Sequence, residues 1–418
     1  MADRRNYRTI GLLDIGTSKT VAAVVVAEHA PGMAEASLRL AGLGMQRSKG
    51  VKAGVLTDLD EAESVVRAVI GQAERAAGVA VGNFTLSVAA GRLASVHCTA
   101  RIDIETGYVT EEDLARLTAA GESYAERDGR TLIHLNRLGY EIDGNPGVRD
   151  PIGLSARRLA AGFHAVTADE APLRNMLVLI ERCYAGCDGL VAAPYASGLA
   201  VTTEEERQFG VTCIDLGAGT TSIALFADGL FAGTEVIPVG AQHLTYDIAR
   251  TLQTPLSEAE RIKTLYGTLL RAQSDEHESF SYPIAGEEDD ASYQTTKARL
   301  TEIIRPRLEQ LMGLVRERLA LNAASRYAGE KVVLTGGASQ LLGLSEFVRN
   351  ELGRPVRLGR PAELSGLTAS LAGPQLATLT GLAIIAGRSA SEVSVPQGRK
   401  VLKQGYLGRV GTWLKRGF

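Results

Sequence analysis

A chain of 418 residues, 45% hydrophobic and 22% charged with a net charge of -3, can bury two sizeable cores and carries no basic excess for nucleic acid. Its four cysteines (Cys98, Cys183, Cys187 and Cys213) are scattered with no companion histidine set, which argues against a disulfide framework or zinc and for a reduced cytosolic protein. Residues 1–8 are charged and lack the apolar core of a signal peptide, and no stretch offers the roughly 20 apolar residues of a spanning helix.

Residues 10–26 read as an apolar strand, an aspartate (Asp14), a turn carrying Gly16, Thr17, Ser18 and Lys19, and a second apolar strand. Glycine admits positive φ and close approach of a ligand, and consecutive N–H groups in such a turn form a nest for anions. A carboxylate beside a phosphate nest makes sense when a metal ion or its bound water lies between them. Residues 38–47 form a further strand. Residues 58–77 put Ala62, Val65, Val66, Val69, Ile70, Ala73, Ala76 and Ala77 on one helical stripe, with Asp58 or Asp60 as its cap. Residues 84–90 alternate as a strand, so the chain opens as an α/β domain.

From residue 92 to about 162 the texture changes. Thr110, Glu111, Glu112 and Asp113 begin a helix in the manner of a capping box, and that helix ends near Gly129. A strand at 131–138 and a Gly/Pro-rich loop at 143–153 complete a compact inserted subdomain. The first domain resumes with a strand at 163–167, a helix over 169–183, a strand over 189–193 that starts after Asp188, and a helix over 195–203. The charged run 203–208 separates the halves.

Residues 211–228 then repeat the opening: a strand ending in Asp215, a turn of Gly217, Ala218, Gly219, Thr220 and Thr221, and a second strand. One Asp-x-Gly-x-Gly turn alone reads equally well as a polar hairpin tip. Two copies, at Asp14 and Asp215, point to two similar domains facing one phosphate group. A strand at 233–239, helices over 241–251 and 255–263, an acidic irregular segment at 274–290 and a long helix over 298–322 follow. Pro306 marks a kink or a junction in the last of these. Residues 331–343 form an apolar strand ending in Gly336, Gly337, Ala338 and Ser339, ahead of a helix over 344–351. An α/β sheet places ligands at such strand ends, although this segment by itself is also an ordinary tight turn.

Residues 389–404 have the composition of a linker, and no acidic residue follows Glu392. Residues 405–418 put Tyr406, Leu407, Val410, Trp413, Leu414 and Phe418 on one helical arc, with Arg409, Lys415 and Arg416 outside it. An apolar face bearing tryptophan and a basic polar face describe a helix that lies in a membrane interface. Glycines at 405, 408, 411 and 417 weaken the isolated helix, so it is expected to fold only on lipid.

The motifs Asp14-x-Gly16-Thr17, Asp215-x-Gly217-x-Gly219-Thr220 and Gly336-Gly337-Ala338, in this order, resemble the actin, heat-shock chaperone and sugar kinase superfamily. The resemblance implies an actin-like α/β fold, two facing domains around a nucleotide cleft, with ATP and Mg2+ as ligands. It makes Asp14, Gly16, Thr17, Ser18 and Lys19 one phosphate loop, and Asp215, Gly217, Ala218, Gly219, Thr220 and Thr221 the other. Mg2+ would sit near Asp14 and Asp215 through water, and Gly336, Gly337, Ala338 and Ser339 would face adenosine. The run 259–263 resembles that of the filament protein MreB, which assigns Glu260 and Lys263 to ribose and base; three residues apart, they share a helix face.

Within the superfamily the chain resembles the FtsA family of bacterial cell-division proteins over nearly its whole length, on residues 11–19, 151–155, 180–183, 333–338, the tail and the place of the inserted subdomain. That resemblance implies subdomain 1A at 1–84 and 163–206, inserted 1C at 85–162, 2A at 207–266 and 331–388, and 2B at 267–330. A linker at 389–404 and a membrane-targeting helix at 405–418 complete the layout. It implies a protein that polymerises, tethers the FtsZ ring to the cytoplasmic face of the inner membrane at the division site, and recruits later division proteins. The implied partners are the acidic C-terminal peptide of FtsZ, a second copy of the chain, anionic lipid and other division proteins, with no nucleic acid. For the FtsZ peptide, Lys297, Arg299 and Arg305, with Arg307, form the basic cluster of the matching region. MreB-like relatives carry a Glu-Pro-Met-Ala run where this chain has Ala193, Pro194, Tyr195 and Ala196, so no catalytic residue is assigned and at most slow ATP hydrolysis is expected. The competing readings are a pilus-assembly type of actin-like adaptor and a sugar-kinase-type phosphotransferase.

Overall fold

The computed structural model describes residues 6–29, 36–89, 92–125, 129–270, 272–286, 292–368 and 371–388. The linker and amphipathic segment expected at 389–418 lie outside them. The chain begins with an antiparallel meander, β1 (Asn6–Ile15), β2 (Lys19–His29) and β3 (Ser37–Arg47), followed by a two-strand ribbon, β4 (Val51–Lys52) and β5 (Val55–Leu56). Helix α1 (Leu59–Ala77) is capped by Asp58, which accepts the Glu61 N–H at 3.0 Å, and stops at left-handed Gly78. Its stripe of Ala62, Val65, Val66, Val69, Ile70 and Ala73 is buried. Glycines 42 and 44 of β3 let it lie directly on the sheet, since a Cβ at either would stand 2.0 Å from a backbone oxygen of α1. Strand β6 (Asn83–Val88) then pairs parallel to β1.

The inserted unit follows: β7 (Ala94–Asp103), α2 (Glu111–Ala125), β8 (Arg130–Ile142), β9 (Asn145–Val148) and β10 (Arg158–Asp169), in sheet order β7-β10-β8-β9. Thr110 and Asp113 close the expected box at the start of α2. The chain returns to the first sheet through α3 (Glu170–Arg182), β11 (Gly186–Ala192), α4 (Ala193–Val201) and α5 (Glu204–Phe209). The second half is β12 (Val211–Leu216), β13 (Thr221–Ala227), β14 (Leu230–Ile237), α6 (Ala241–Leu252), α7 (Leu256–Tyr266), a ribbon of β15 (Ser279–Tyr282) and β16 (Tyr293–Thr296), α8 (Lys297–Leu321), β17 (Val332–Thr335), α9 (Leu344–Leu352), β18 (Val356–Leu358) and α10 (Ala377–Gly387).

The two large sheets are copies of each other. One runs β3-β2-β1-β6-β11 and the other β14-β13-β12-β17-β18; each is three antiparallel strands followed by two parallel ones. Their last helices are exchanged. Ala200 and Val201 of α4 share a core with Cys213, Ala224 and Phe226 of the second sheet. Leu379, Leu382 and Ala383 of α10 pack with Ile10, Leu12, Val21 and Ala23 of the first. The helices cross where Gly381 meets Ala196: a Cβ on Gly381 would lie 1.8 Å from the Ala196 carbonyl oxygen.

Several expectations differ from the structure. The strand expected to reopen the first domain at 163–167 is the second part of β10 and belongs to the inserted sheet, pairing Phe163 with Cys98 and Thr167 with Ala94. Gly162, near the expected boundary, lies inside β10 opposite a bulge in β8, where Leu138 is passed over between the pairs Gly162–Gly139 and Phe163–Arg137. Asp188 lies inside β11, again at a register shift, rather than ahead of the strand. Helix α8 runs through Pro306 as one element, and the irregular segment at 274–290 contains β15.

Gly381→Val is expected to cost at least about 3 kcal/mol, because neither backbone at the crossing can move without separating two cores. Denaturant unfolding checks this; a cost under about 1 kcal/mol would contradict it.

Candidate functional site

Asp14 and Asp215 each sit one residue from the end of their strand, β1 and β12, at equivalent places in the two sheets. The turns that follow close in the same way. The Gly16 N–H donates to the Lys19 carbonyl at 3.0 Å, and the Gly217 N–H donates to the Thr220 carbonyl at 3.0 Å. The turns also touch. A Cβ on Gly219 would stand 2.3 Å from Thr17 Oγ1 and 2.9 Å from Ala53 Cα, so only glycine lets the second turn close on the first. The Thr17 hydroxyl accepts the Gly54 N–H at 3.1 Å, which ties the β4–β5 ribbon into the same junction.

Between the domains lies a cavity of about 1310 Å³. Asp14, Gly16, Thr17, Ser18, Lys19, Asp215, Gly217, Ala218, Gly219 and Thr220 line one part of it; Glu260, Lys263, Gly336, Gly337 and Ala338 line another. Gly336 is left-handed at φ 86°, and a Cβ there would strike Asp215 Oδ1 at 2.3 Å, so the third motif is glycine because the second motif's carboxylate occupies the space. Glu260 and Lys263 pair at 2.6 Å, and Lys263 Nζ also donates to Thr245 Oγ1 at 2.9 Å. Ala193, at the start of α4, lines the cavity with a methyl group.

Two carboxylates and one lysine meet on the cavity floor, open to its interior yet enclosed by protein. Burial raises the Asp14 carboxyl above its usual range, against a hydrogen bond from Ser87 and the charge of Lys19. Burial likewise pushes Asp215 up to about 6; a Ser197 hydrogen bond opposes this, and the Asp14 charge adds to it. The same desolvation lowers Lys19, which both carboxylates hold partly up and which donates to the Gln375 carbonyl across the cleft. A half-buried set of one cation and two acids, beside glycine turns lacking Cβ atoms, fits a phosphate group accompanied by a divalent cation.

The inserted sheet reaches this floor from behind. The Ala192 N–H, one residue before Ala193, donates to His134 Nε2 at 2.8 Å. His164 bonds Ser95 at 2.7 Å and the Phe231 carbonyl of β14 at 2.8 Å. Burial lowers His134 to about 4 and His164 to about 3, so both are neutral joints at ordinary pH.

The description "Cell division protein FtsA" matches residues 212–381, and "SHS2 domain inserted in FTSA" matches residues 90–167. A cell division protein FtsA of Agrobacterium fabrum is 39% identical over 429 aligned positions, covering 100% of this chain and 96% of the relative. This chain belongs to the FtsA family. Among solved structures it is similar to a PilM–PilN type IV pilus biogenesis complex (TM-score 0.63, 18% identity, 91% of this chain and 98% of that one). It is also similar to MreB5 of Spiroplasma citri bound to ADP (TM-score 0.53, 13% identity, 90% and 96%). At these identities the structural likenesses establish an actin-like fold, with the inserted domain in the first half.

Several residues singled out from sequence stand elsewhere. Thr221 is fully buried and spends its hydroxyl on the Val239 carbonyl at 2.8 Å, and Ser339 spends its own on the Gly336 carbonyl at 2.7 Å; both brace loops from behind the wall. Lys297, Arg299, Arg305 and Arg307 do not form a basic patch. At about 100° per residue they point to different sides of α8, and each has its own carboxylate: Glu278, Glu302, Glu309 and Asp247 respectively. Lys297 and Glu278 line the cavity itself. Sequence reasoning missed Ser87, Ser197, Gln375 and Thr378 around the two aspartates. These come from three distant segments and carry no local motif.

Because folding raises the Asp215 pKa from 3.8 to about 6, its contribution favours the ligand-free fold below about pH 4 and is lost as pH rises through about 6. At neutral pH the ionised group costs about 2–3 kcal/mol. Asp215→Asn is therefore expected to raise the melting temperature of the ligand-free FtsA-family chain at pH 7.5, with the gain shrinking towards pH 4.5. A gain independent of pH would contradict the assignment.

Proposed function

We propose that this FtsA-family chain clamps ATP with Mg2+ between its two halves and polymerises on the cytoplasmic face of the inner membrane, at the division site. There it would tether the FtsZ ring, through the C-terminal peptide of FtsZ, and recruit later division proteins. The observation that carries the nucleotide part is the meeting of two equivalent turns and of Asp14, Lys19 and Asp215 on one cavity floor. In this reading the N–H groups and hydroxyls of residues 16–19 and 217–220 hold the phosphates. Asp14 and Asp215 orient water around the metal, and Glu260, Lys263 and the bare backbone of Gly336, Gly337 and Ala338 hold the nucleoside. The metal, when bound, would offset part of the charge of the phosphates and of the two carboxylates.

Turnover is proposed to be slow. A water that attacks a phosphate needs a group to orient or deprotonate it, and Ala193 offers none. The acids among the described lining residues are Asp14, Asp215, Glu260, Asp275 and Glu278; the first two belong to the metal in this reading and the others lie on the far wall. No described helix is long and apolar enough to cross a membrane, so attachment is assigned to residues 405–418, on composition. Partner binding rests on family membership; Lys297, Arg299 and Arg305 stay the proposed contact for the FtsZ peptide, whose acidic groups would compete with Glu278, Glu302 and Glu309 for these exposed ion pairs.

Calorimetric titration of MgATP is expected to give binding that Asp215→Ala weakens at least about tenfold. Phosphate release should stay far below ordinary enzyme rates of about 1 per second or more. Undiminished affinity in the variant would overturn the clamp. For the tail, vesicles containing anionic lipid should float the full chain and leave behind a chain ending at residue 404; flotation of the shortened chain would remove the tail from that role.

A further inference from the structure

The cavity wall contributed by the first sheet carries two cations, Arg47 and Lys49, with no ion-pair partner among the described residues. Lys19 of β2 stands directly opposite Arg47 of β3. Directly opposed residues share a face with their Cβ atoms roughly 5 Å apart, and like charges there are unfavourable. The odd-numbered residues of β2 (Val21, Ala23 and Val25) face the α10 side, so Lys19 and Arg47 both point towards the cleft. Lys49 lines the same cavity two residues further on.

Among the cavity-lining cations, Lys263 and Lys297 are paired with Glu260 and Glu278, and Lys19 lies against Asp14 and Asp215. Arg47 and Lys49 are exposed, and their side chains make no ion pair or hydrogen bond with any described residue. The backbone between and beyond them is nevertheless pinned. Ser48 donates its N–H to the Ser18 carbonyl at 3.1 Å and its hydroxyl to the Gly16 carbonyl at 2.7 Å, which fastens it to the first turn. The Gly50 carbonyl accepts N–H groups from Thr57 at 2.8 Å and Asp58 at 3.2 Å, which fastens it to the start of α1. Gly50 is left-handed at φ 66°, and a Cβ there would meet the Asp58 carbonyl oxygen at 2.1 Å. A cation held between two anchors and aimed at an anion nest is a preorganised contact, whereas an ordinary surface lysine sits on a free backbone.

We propose that Arg47 and Lys49 bind the terminal phosphate of a nucleoside triphosphate held between the two turns, and so set a preference for triphosphate over diphosphate. The proposal rests on the nucleotide reading above. It follows from the charge balance: without this pair, one lysine faces two carboxylates on the cavity floor, and nothing on that wall offsets the extra charge of a third phosphate. The like-charge opposition of Lys19 and Arg47 is relieved when an anion enters between them.

The test uses the full chain and titrates ATP and ADP separately, with Mg2+ present. The Arg47→Ala/Lys49→Ala double variant is expected to bind ATP at least about tenfold more weakly and ADP less than about threefold more weakly. The Arg47→Lys/Lys49→Arg variant should keep the ATP preference. Without ligand, the double alanine variant should melt no lower than the parent, because it removes a repulsion and no contact. Equal losses for both nucleotides, or no loss for ATP, overturn the proposal. If the parent chain binds neither nucleotide, the nucleotide reading fails, and this proposal fails with it.

Discussion

The contact between Gly381 and the Ala196 carbonyl sets the geometry of everything between the two halves. Helices α4 and α10 cross there with no side chain to separate them, and each leaves its own half to pack on the other's sheet. The exchange means that the two cores cannot part without uncovering apolar faces on both sides. It also puts the start of α4 and the segment before α10 at the cleft, where Ala193 and Thr378 line the cavity and Gln375 meets Lys19 of the opposite half. Lys19 donating to Gln375 and Thr378 donating to Asp215 at 3.5 Å are consequences of that crossing.

The site that results is unfavourable by design of its charges. Asp14 and Asp215 repel each other on a half-buried floor, with one lysine interacting with both. An isolated protein gains nothing from such an arrangement. It becomes sensible when a ligand supplies the missing positive and negative charge together, as a metal–phosphate pair does. Local rules of packing and charge are broken here and obeyed elsewhere: the cores behind the turns are apolar and closed, and the surface ion pairs of α8 are ordinary.

The duplicated turns were legible in sequence because each is a local pattern of strand, aspartate and glycine, and such patterns survive without knowledge of the fold. Helix α1, with its stripe and its Asp58 cap, was legible for the same reason. What could not be read depended on long-range pairing. Gly162 looked like a boundary, yet β10 runs straight through it opposite the bulged residue Leu138 of β8, and only the partner strand shows this. Thr221 and Ser339 have the chemistry of ligands, but their hydroxyls turn to backbone carbonyls on the far side of their loops. The cations of α8 seemed a patch when counted along the chain, whereas a helix spreads residues two and eight apart around its axis. Lys49 carries no motif at all; its importance depends on where Ser48 and Gly50 are fastened.

The continuity of β10 has a mechanical meaning. Its twelve residues span about 40 Å at the rise of a strand and run without a loop into α3, which packs in the first domain. The inserted sheet is therefore mounted on a strut rather than hung from a tether. His134 braces it against Ala192 and His164 against β14. A load applied at the far edge of that sheet reaches the base of the cleft with little slack, along a path made of backbone hydrogen bonds.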